Sequence, residues 1–323
     1  MKIAILDDYQ NAVKDLACFH ILKEHDVIVL NETIKDPEVL AEKIADVEAL
    51  ILIRERTEVT EALLSKLPNL KLISQTGKIS NHINPNLCHQ YGVDIAEGKG
   101  SPIAPSELCW SLIMAAYRHI PSYVSQLSQG IWQQSGLGLG QTLHGKTLGI
   151  WGYGKIGQRI AQYAKAFGMD VLVWGSESSQ AKAVEHGFDA AESKQSFFES
   201  ADIVSLHLRL NDATREIVKR SDLSAMNSGS LFVNVSRAEL VEQGALLAEL
   251  TCEPSKFAAL DVFESEPATP ENEPLIALPN VLATPHLGYV EQGSYELYFK
   301  IAFENVIAFA NGHPQNIVKS NKS

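Results

Sequence analysis

The stretch TLGIWGYGKIGQRIAQYAKAFGMDVLVW, residues 147–174, decides the fold of this chain. An apolar run typical of a buried strand leads into Gly152, Gly154 and Gly157 in the spacing GxGxxG, then a helical pattern and a second apolar run. In such a unit the first glycine permits a tight turn, the second lets the backbone approach a pyrophosphate, and the third lets the helix pack on the strand. The helix amino terminus offers N–H groups and a positive dipole to phosphates. The stretch therefore predicts a dinucleotide site.

The end of the second run bears on which dinucleotide binds. An acid there bonds the hydroxyls of the adenine ribose, whereas an Arg accepts a 2′-phosphate. Here the sequence reads VWGSESSQ: Gly175 stands where the acid is expected, and Ser176 and Glu177 follow it. Because Glu177 would repel a 2′-phosphate if it points inward, the sequence favours NAD as the cofactor. The serines suit either cofactor, so NADP stays open.

Apolar runs on both sides of this stretch predict an α/β protein. From residue 147, six near-continuous runs alternate with helical patterns, which is typical of a doubly wound parallel sheet. Before residue 100, five shorter runs alternate with amphipathic stretches and predict a smaller α/β domain. One such stretch, DPEVLAEKIADVEA, is expected to form a helix capped by Asp36, with Val39, Leu40 and Ile44 facing inward.

Three further segments of the chain have distinctive sequences. GKGSPIAPSE (98–107) contains two glycines and two prolines and is predicted to be a hinge. Residues 119–145 contain no Asp, Glu, Lys or Arg. They form either an ordinary surface connection or a subunit-contact arm, since interface cores are depleted of charge. A helical pattern over 294–309 precedes the tail KSNKS (319–323), which is expected to be disordered.

Composition narrows the classes of function. The 323 residues include 27 Lys and Arg against 39 Asp and Glu, a net charge of −12, which argues against nucleic-acid binding. The four cysteines lie far apart without CxxC spacing, so we expect neither disulfides nor a metal site, and a reducing cytoplasm suits the chain. The apolar stretch 108–117 is about half of a membrane span. The amino terminus MKIAILDD is too short for a signal-peptide core.

Three polar residues follow apolar runs in the second half of the chain. Arg237 follows LFVNVS, Glu266 follows AALDVFES and His286 follows VLATP. Singly they could be a surface cation, a solvated acid and a loop histidine. In a parallel sheet, however, ligands bind outside the carboxyl ends of the strands, where these residues would converge.

Together the three residues match the needs of hydride transfer on a 2-keto acid. A guanidinium binds the substrate carboxylate through two parallel hydrogen bonds. An imidazolium gives a proton to the forming alkoxide, and a paired carboxylate fixes the tautomer of the imidazole. We therefore predict an oxidoreductase that transfers a hydride between a nicotinamide and C2 of a small 2-keto or D-2-hydroxy acid.

With GYGKIGQ, VNVSRAELVEQGAL, ALDVFESEP and LPNVLATPHLGY in this order, the chain resembles the D-isomer-specific 2-hydroxyacid dehydrogenases over essentially its whole length. The resemblance implies that Arg237 binds the substrate carboxylate, His286 is the acid/base, Glu266 is its partner and Asp261 lies near the nicotinamide. It also implies a Rossmann-type cofactor domain (101–290) inserted into a smaller flavodoxin-like substrate domain (1–100 plus 291–323). Members are usually homodimers joined through the cofactor domain.

Other contacts are expected from the same comparison. Further cofactor contacts are assigned to Tyr153, Lys155, Ile156, His207, Thr214, Val235, Ser236 and Gly288. The substrate loop SQTGKISNHIN, with Arg54 nearby, is expected to bind substrate through Arg54, Gly77 and Lys78.

Several positions depart from the family pattern. In the substrate loop, the usual glycine- and aspartate-rich sequence is replaced by Lys78, Ser80, Asn81 and His82. The loop after His286 reads GYV, and the segment LHLRLND lacks a proline. The identity of the acid therefore stays open. One alternative is 3-phosphoglycerate dehydrogenase, with Arg54, Lys78 or Lys99 holding the phosphate. Another is a dinucleotide-sensing corepressor or scaffold without turnover.

Overall fold

A computed structural model of the chain describes residues 1–319, so most of the tail predicted to be disordered lies outside the described residues. The chain divides into two compact units. Unit 1 comprises Met1–Ser101 together with the residues from Glu291 onward, and unit 2 comprises Pro102–Val290. In sequence, unit 2 is thus inserted into unit 1.

Unit 1 is built on a five-stranded parallel sheet. Its strands are β1 Lys2–Ile5, β2 Asp26–Val29, β3 Ala49–Leu52, β4 Leu72–Gln75 and β5 Asp94–Ala96. The spatial order β2-β1-β3-β4-β5 is the flavodoxin-like order, which confirms that part of the predicted fold class. The strands are three or four residues long. All residues of β3 and β4 are fully buried, including the polar Ser74 and Gln75, as in a parallel sheet that is covered on both faces.

The helices of unit 1 are α1 Pro37–Lys43, α2 Glu61–Leu64, α3 Pro85–Gln90 and the last helix, α11 Gln292–Ala310; short 3-10 helices span Val13–Asp15 and Ala17–Leu22. As predicted, Asp36 caps α1, its Oδ1 accepting a hydrogen bond from Glu38 N at 2.8 Å. The inward stripe was predicted wrongly at one position. Leu40 and Ile44 are buried, but Val39 is 44% exposed, because residues four apart share one helical face whereas Val39 is rotated by about 100° from Leu40.

Unit 2 contains a seven-stranded parallel sheet. Its strands are β6 Thr147–Trp151, β7 Asp170–Trp174, β8 Asp189–Ala190, β9 Ile203–Leu206, β10 Leu231–Asn234, β11 Phe257–Leu260 and β12 Val281–Ala283. The spatial order β12-β11-β10-β9-β6-β7-β8 reverses direction at β6, as in a Rossmann fold, and confirms the doubly wound prediction. The two-residue strand β8 has no apolar run and was not predicted.

The helices of unit 2 are α4 Ile103–Tyr117, α5 Ile120–Ser128, α6 Lys155–Ala166, α7 Glu177–Glu185, α8 Lys194–Ser200, α9 Arg220–Ala225 and α10 Ala245–Cys252, with 3-10 turns at Ala238–Leu240 and Pro274–Ala277. The second half of the predicted hinge is helical, since α4 begins at Ile103. Pro105 is tolerated there because the first turn of a helix needs no N–H donor. Successive strand residues enter opposite cores: Leu231 and Val233 pack on one face of the sheet, Phe232 on the other.

Candidate functional site

The glycine turn after β6 has the geometry that its sequence predicts. Gly152 adopts φ +98°, and a Cβ there would lie 2.6 Å from the carbonyl oxygen of His207. A Cβ on Gly157 would lie 2.2 Å from the carbonyl oxygen of Gly152, so only glycine lets α6 pack on the turn. At Gly154, by contrast, a Cβ would meet nothing within 4 Å. The turn therefore opens to space at the position where a pyrophosphate approaches the backbone in this type of fold.

The other residues of the turn have different surroundings. Tyr153 is 3% exposed, and its hydroxyl lies 3.1 Å from His186 Nδ1, so its side chain belongs to the core. Lys155 is exposed and Ile156 is partly buried at the first positions of α6. Tyr153 can thus offer a ligand only its backbone, whereas Lys155 can also offer its side chain.

The end of β7 carries the residues expected near the adenine ribose. Gly175 has φ +154° and Ser176 caps α7, its Oγ accepting from Ser179 N at 3.3 Å. Glu177 is the exposed first residue of α7. The structure therefore places a serine hydroxyl and a carboxylate at this strand end, and no basic residue lies within 175–181.

After β9, His207 lies directly against the glycine turn. Its backbone N donates to Trp151 O at 2.8 Å, and its Nε2 lies 2.9 Å from Ser205 Oγ, which in turn lies 3.5 Å from Cys109 Sγ. Burial lowers the pKa of His207 to about 4, so the ring is neutral at pH 7. Thr214 closes the following loop by donating from Oγ1 to Arg209 O at 2.7 Å.

Arg237 follows β10 on a segment that is held from both sides. Ser236 Oγ donates to Leu206 O at 2.7 Å, and Asn234 Nδ2 donates to Arg237 O at 2.8 Å. The half-buried guanidinium of Arg237 donates from Nη1 to Ser236 O at 2.6 Å, while Val235 packs against the core. These contacts fix the backbone of Arg237 at the carboxyl end of the sheet.

His286 and Glu266 come together as predicted. His286 Nδ1 lies 2.7 Å from Glu266 Oε2, and the other oxygen, Oε1, accepts from Phe263 N at 3.1 Å. His286 has φ +53°, a conformation that L-residues adopt rarely, and its backbone N donates to Thr284 O at 2.9 Å. Because a carboxylate at Nδ1 keeps the proton on that nitrogen, Nε2 is left to exchange a proton with a reacting oxygen.

Asp261 fixes the segment that carries His286. It is fully buried; Oδ1 accepts from Thr284 Oγ1 at 2.6 Å and Leu287 N at 2.7 Å, and Oδ2 accepts from Gly288 N at 2.9 Å. Burial raises the pKa of Asp261 above its ordinary value, although these donors favour the ionised form. The three bonds enclose His286 on both sides.

Residues that the sequence prediction left out complete this environment. The ring of Tyr289 packs edge-on against the His286 imidazole at a centroid distance of 5.5 Å. Thr284 donates a hydrogen bond to Asp261, and Asn234 donates one to the carbonyl oxygen of Arg237. The GYV departure after His286 was the signal for Tyr289, whereas Thr284 and Asn234 are ordinary strand-end residues without a distinguishing pattern.

The predicted substrate residues of unit 1 lie on adjacent strand ends. Arg54, at φ +53°, donates from its backbone N to Thr76 Oγ1 at 3.0 Å. Its guanidinium covers Gly77 so closely that a Cβ there would lie 2.1 Å from Arg54 Nη1. Lys78 forms an ion pair with Glu97. Arg54 and Gly77 are therefore in contact, and Lys78 is engaged by an acid.

In residues 1–319, no cluster of three or more His, Cys, Asp or Glu side chains could hold a metal ion. No helix of that part of the chain is long and apolar enough to cross a bilayer.

The strand order reverses at β6, and the glycine turn opens at that point, as in a Rossmann-type dinucleotide-binding domain. The same unit carries the hydrogen-bonded pair of His286 and Glu266. The family described as D-isomer specific 2-hydroxyacid dehydrogenase, NAD binding domain, matches residues 110–288. The chain belongs to this family, and unit 2 is its NAD-binding domain.

Individual relatives agree with this assignment. A solved phosphoglycerate oxidoreductase from Vibrio cholerae is 64% identical with a TM-score of 0.96, covering 97% of this chain and 99% of that one. The glyoxylate reductase of Aeropyrum pernix is 34% identical over 307 residues, 92% of this chain and 90% of that protein. The D-3-phosphoglycerate dehydrogenase of Methanocaldococcus jannaschii is 32% identical over 283 residues, 87% of this chain. The alignment covers only 53% of that longer protein, so this chain spans about half its length.

Proposed function

We propose that the protein is an NAD-dependent D-2-hydroxyacid dehydrogenase that interconverts a small 2-keto acid and its D-2-hydroxy acid. The observation that carries the proposal is the 2.7 Å contact between His286 Nδ1 and Glu266 Oε2 in the same unit as the glycine turn. When bound, the nicotinamide would supply or accept the hydride at C2 of the substrate. The relatives are named for both phosphorylated and unphosphorylated acids, which supports the reaction class more than any one substrate.

Each polar group then has one task. In the reductive direction His286 gives the proton on Nε2 to the oxygen that becomes the hydroxyl group, and in the oxidative direction it takes that proton back. Glu266 orients the ring and compensates its positive charge. Arg237 binds the substrate carboxylate with two parallel hydrogen bonds, and Arg54 with the backbone of Gly77 and Lys78 contributes to substrate binding.

Cofactor binding is assigned to the residues around the carboxyl ends of β6, β7, β9, β10, β11 and β12. The backbone of the turn and the amino terminus of α6 would hold the pyrophosphate. The proposed contacts are Gly152, Tyr153, Gly154, Lys155, Ile156, Gly157, Ser176, Glu177, His207, Thr214, Val235, Ser236, Asp261 and Gly288. Glu177 favours NAD over NADP, because a carboxylate repels a 2′-phosphate.

The test is oxidation of NADH and NADPH, followed by absorbance, with glyoxylate, hydroxypyruvate, pyruvate, phosphohydroxypyruvate and branched 2-keto acids. We expect turnover with NADH, and His286→Ala should lower kcat by about 100- to 10,000-fold, the range for a positioned acid/base. His313→Ala removes an exposed histidine outside the site and serves as the matched control. Near-normal activity of His286→Ala would exclude its acid/base role. If none of these acids is turned over while NADH still binds, the dinucleotide-sensing alternative is favoured.

We further propose a homodimer formed through the arm, residues 119–145. The arm contains no Asp, Glu, Lys or Arg and exposes Val124 (63%), Trp132 (72%) and Leu139 (91%). Apolar side chains exposed to this extent on one segment are typical of an interaction surface. Leu139→Glu should lower the molecular mass measured by light scattering, whereas Val39→Glu, at an exposed apolar residue of α1, should not. A monomeric wild-type protein would contradict the proposal.

A cytoplasmic location is proposed on the state of the cysteines. All four are free thiols, and three of them are buried. A reducing compartment keeps such thiols in this form.

A further inference from the structure

The carboxyl ends of the unit 1 strands carry no excess of positive charge. Within the four residues after each strand, the basic residues are Arg54, Arg56, Lys78 and Lys99, and the acidic ones are Asp7, Asp8, Glu32, Glu55 and Glu97. Phosphoryl groups are usually recognised by Arg and Lys whose charge is not compensated nearby. This edge offers at least as many carboxylates as cations.

Lys78 is the cation of the predicted substrate loop, and Glu97 compensates its charge. The Lys78 ammonium contacts Glu97 Oε1, and Glu97 Oε2 accepts from Ile79 N at 3.4 Å. The Glu97 side chain is 23% exposed against 60% for Lys78, and its backbone N donates to Asn316 O at 3.1 Å. The acid is thus the fixed partner. An anion that reaches Lys78 also meets the Glu97 carboxylate.

The two arginines of this edge are also engaged. Arg54 Nε lies 3.8 Å from Glu55 Oε2, and the guanidinium covers Gly77. Arg56 donates from Nη1 to Asp7 O at 2.6 Å and lies over the ring of Tyr9 at 4.2 Å. The Arg54 guanidinium thus lies near a carboxylate, and the Arg56 guanidinium is held by a backbone carbonyl oxygen and an aromatic ring.

We propose that Glu97 is a specificity-determining residue that disfavours acids carrying a phosphoryl group, so that the enzyme takes unphosphorylated 2-keto acids. The inference rests on the proposed function, including the assignment of Gly77 and Lys78 to substrate binding. A phosphate monoester carries about 1.5 to 2 negative charges at neutral pH. The Glu97 carboxylate therefore repels the phosphorylated acid more strongly than it repels an acid that carries only a carboxylate.

The test compares hydroxypyruvate with 3-phosphohydroxypyruvate, which differ only by the phosphoryl group. We expect the wild type to have the higher kcat/KM with hydroxypyruvate. Glu97→Gln should raise the ratio of phosphorylated to unphosphorylated kcat/KM about three- to thirtyfold, because it leaves the charge of Lys78 uncompensated. Adding Lys78→Met to Glu97→Gln should remove that gain, and high salt should weaken it.

Glu48→Gln is the matched control. Glu48 pairs with Lys71 at 3.1 Å, with side-chain exposures of 32% and 59%, close to those of the Glu97–Lys78 pair. The two residues directly precede β3 and β4, so they lie at the opposite edge of the same sheet. This variant loses the same charge from a similar pair and should leave the ratio unchanged.

A wild type that prefers the phosphorylated acid, or a Glu97→Gln ratio equal to that of Glu48→Gln, would overturn the inference. Calorimetric titration of each acid into the NAD-loaded variants measures the corresponding ratio of the two binding affinities. No turnover with any acid of the panel would contradict the proposed function, while a gain in affinity of Glu97→Gln for the phosphorylated acid alone would still support the role of Glu97.

Discussion

The substitution Asp261→Asn tests whether the buried carboxylate positions His286. The carboxylate accepts from Thr284 Oγ1, Leu287 N and Gly288 N at 2.6–2.9 Å. An asparagine keeps one oxygen, and in either orientation its NH₂ group faces a backbone N–H. A buried donor left unsatisfied costs about 1–3 kcal/mol, and the charge assistance of the remaining bonds is also lost.

We take the sum as about 2–3 kcal/mol. If that free energy is lost from the ordered state of residues 284–288, kcat falls about 30- to 150-fold, at 1.36 kcal/mol for each factor of ten. His286 has a strained backbone, at φ +53°. Once the bonds to Asp261 are weakened, we therefore expect residues 284–288 to leave this ordered conformation. The assay is kcat with the best keto acid at saturating NADH, together with thermal unfolding and NADH affinity.

Thr284→Val provides a graded comparison, because it removes one donor and leaves both backbone bonds; its effect on kcat should be about tenfold or less. A kcat for Asp261→Asn within threefold of the wild type would refute the reasoning. A loss confined to NADH affinity would do the same, because it would support the cofactor contact proposed for Asp261 and leave it no part in positioning His286.

Three further predictions follow from the site. Arg237→Lys should lower kcat/KM for the keto acid about 10- to 100-fold at unchanged NADH affinity, because an ammonium cannot form two parallel bonds; equal loss of NADH affinity would contradict the assignment. Gly157→Ala places a Cβ 2.2 Å from Gly152 O and should lower the melting temperature, whereas Gly154→Ala should melt like the wild type but bind NADH less tightly by fluorescence titration. The pKa of His207, about 4 against 6.5 in the unfolded chain, means that the unfolded state binds the proton first. Stability should therefore fall as the pH drops from about 6.5 to 4, and urea unfolding of His207→Asn should show a smaller fall.

Local patterns in the sequence were sufficient for the elements with a local cause. The apolar runs predicted most strands, because a parallel sheet buried on both faces requires them, and Asp36 caps α1 through a contact two residues away. The glycine spacing predicted the turn, and the clash that a Cβ would make at Gly157 lies within the strand–turn–helix unit, whereas the clash at Gly152 is with the carbonyl oxygen of the distant His207. Membership of the family, predicted from the order of four motifs, is confirmed. The roles of the individual site residues remain predictions.

Features that depend on contacts between distant parts of the sequence were decided only by the tertiary structure. Strand β8 pairs with β7 although it has no apolar run, and the side of α1 that packs on unit 1 leaves Val39 exposed. The pairing of Lys78 with Glu97 joins residues that lie 19 apart in sequence, and Asp261 reaches residues 23 to 27 positions away. The sequence determined which residues could carry the chemistry. The three-dimensional packing of strand ends decided which carboxylate holds residues 284–288 and which one pairs with Lys78, because hydrogen bonds and ion pairs depend on distance in space.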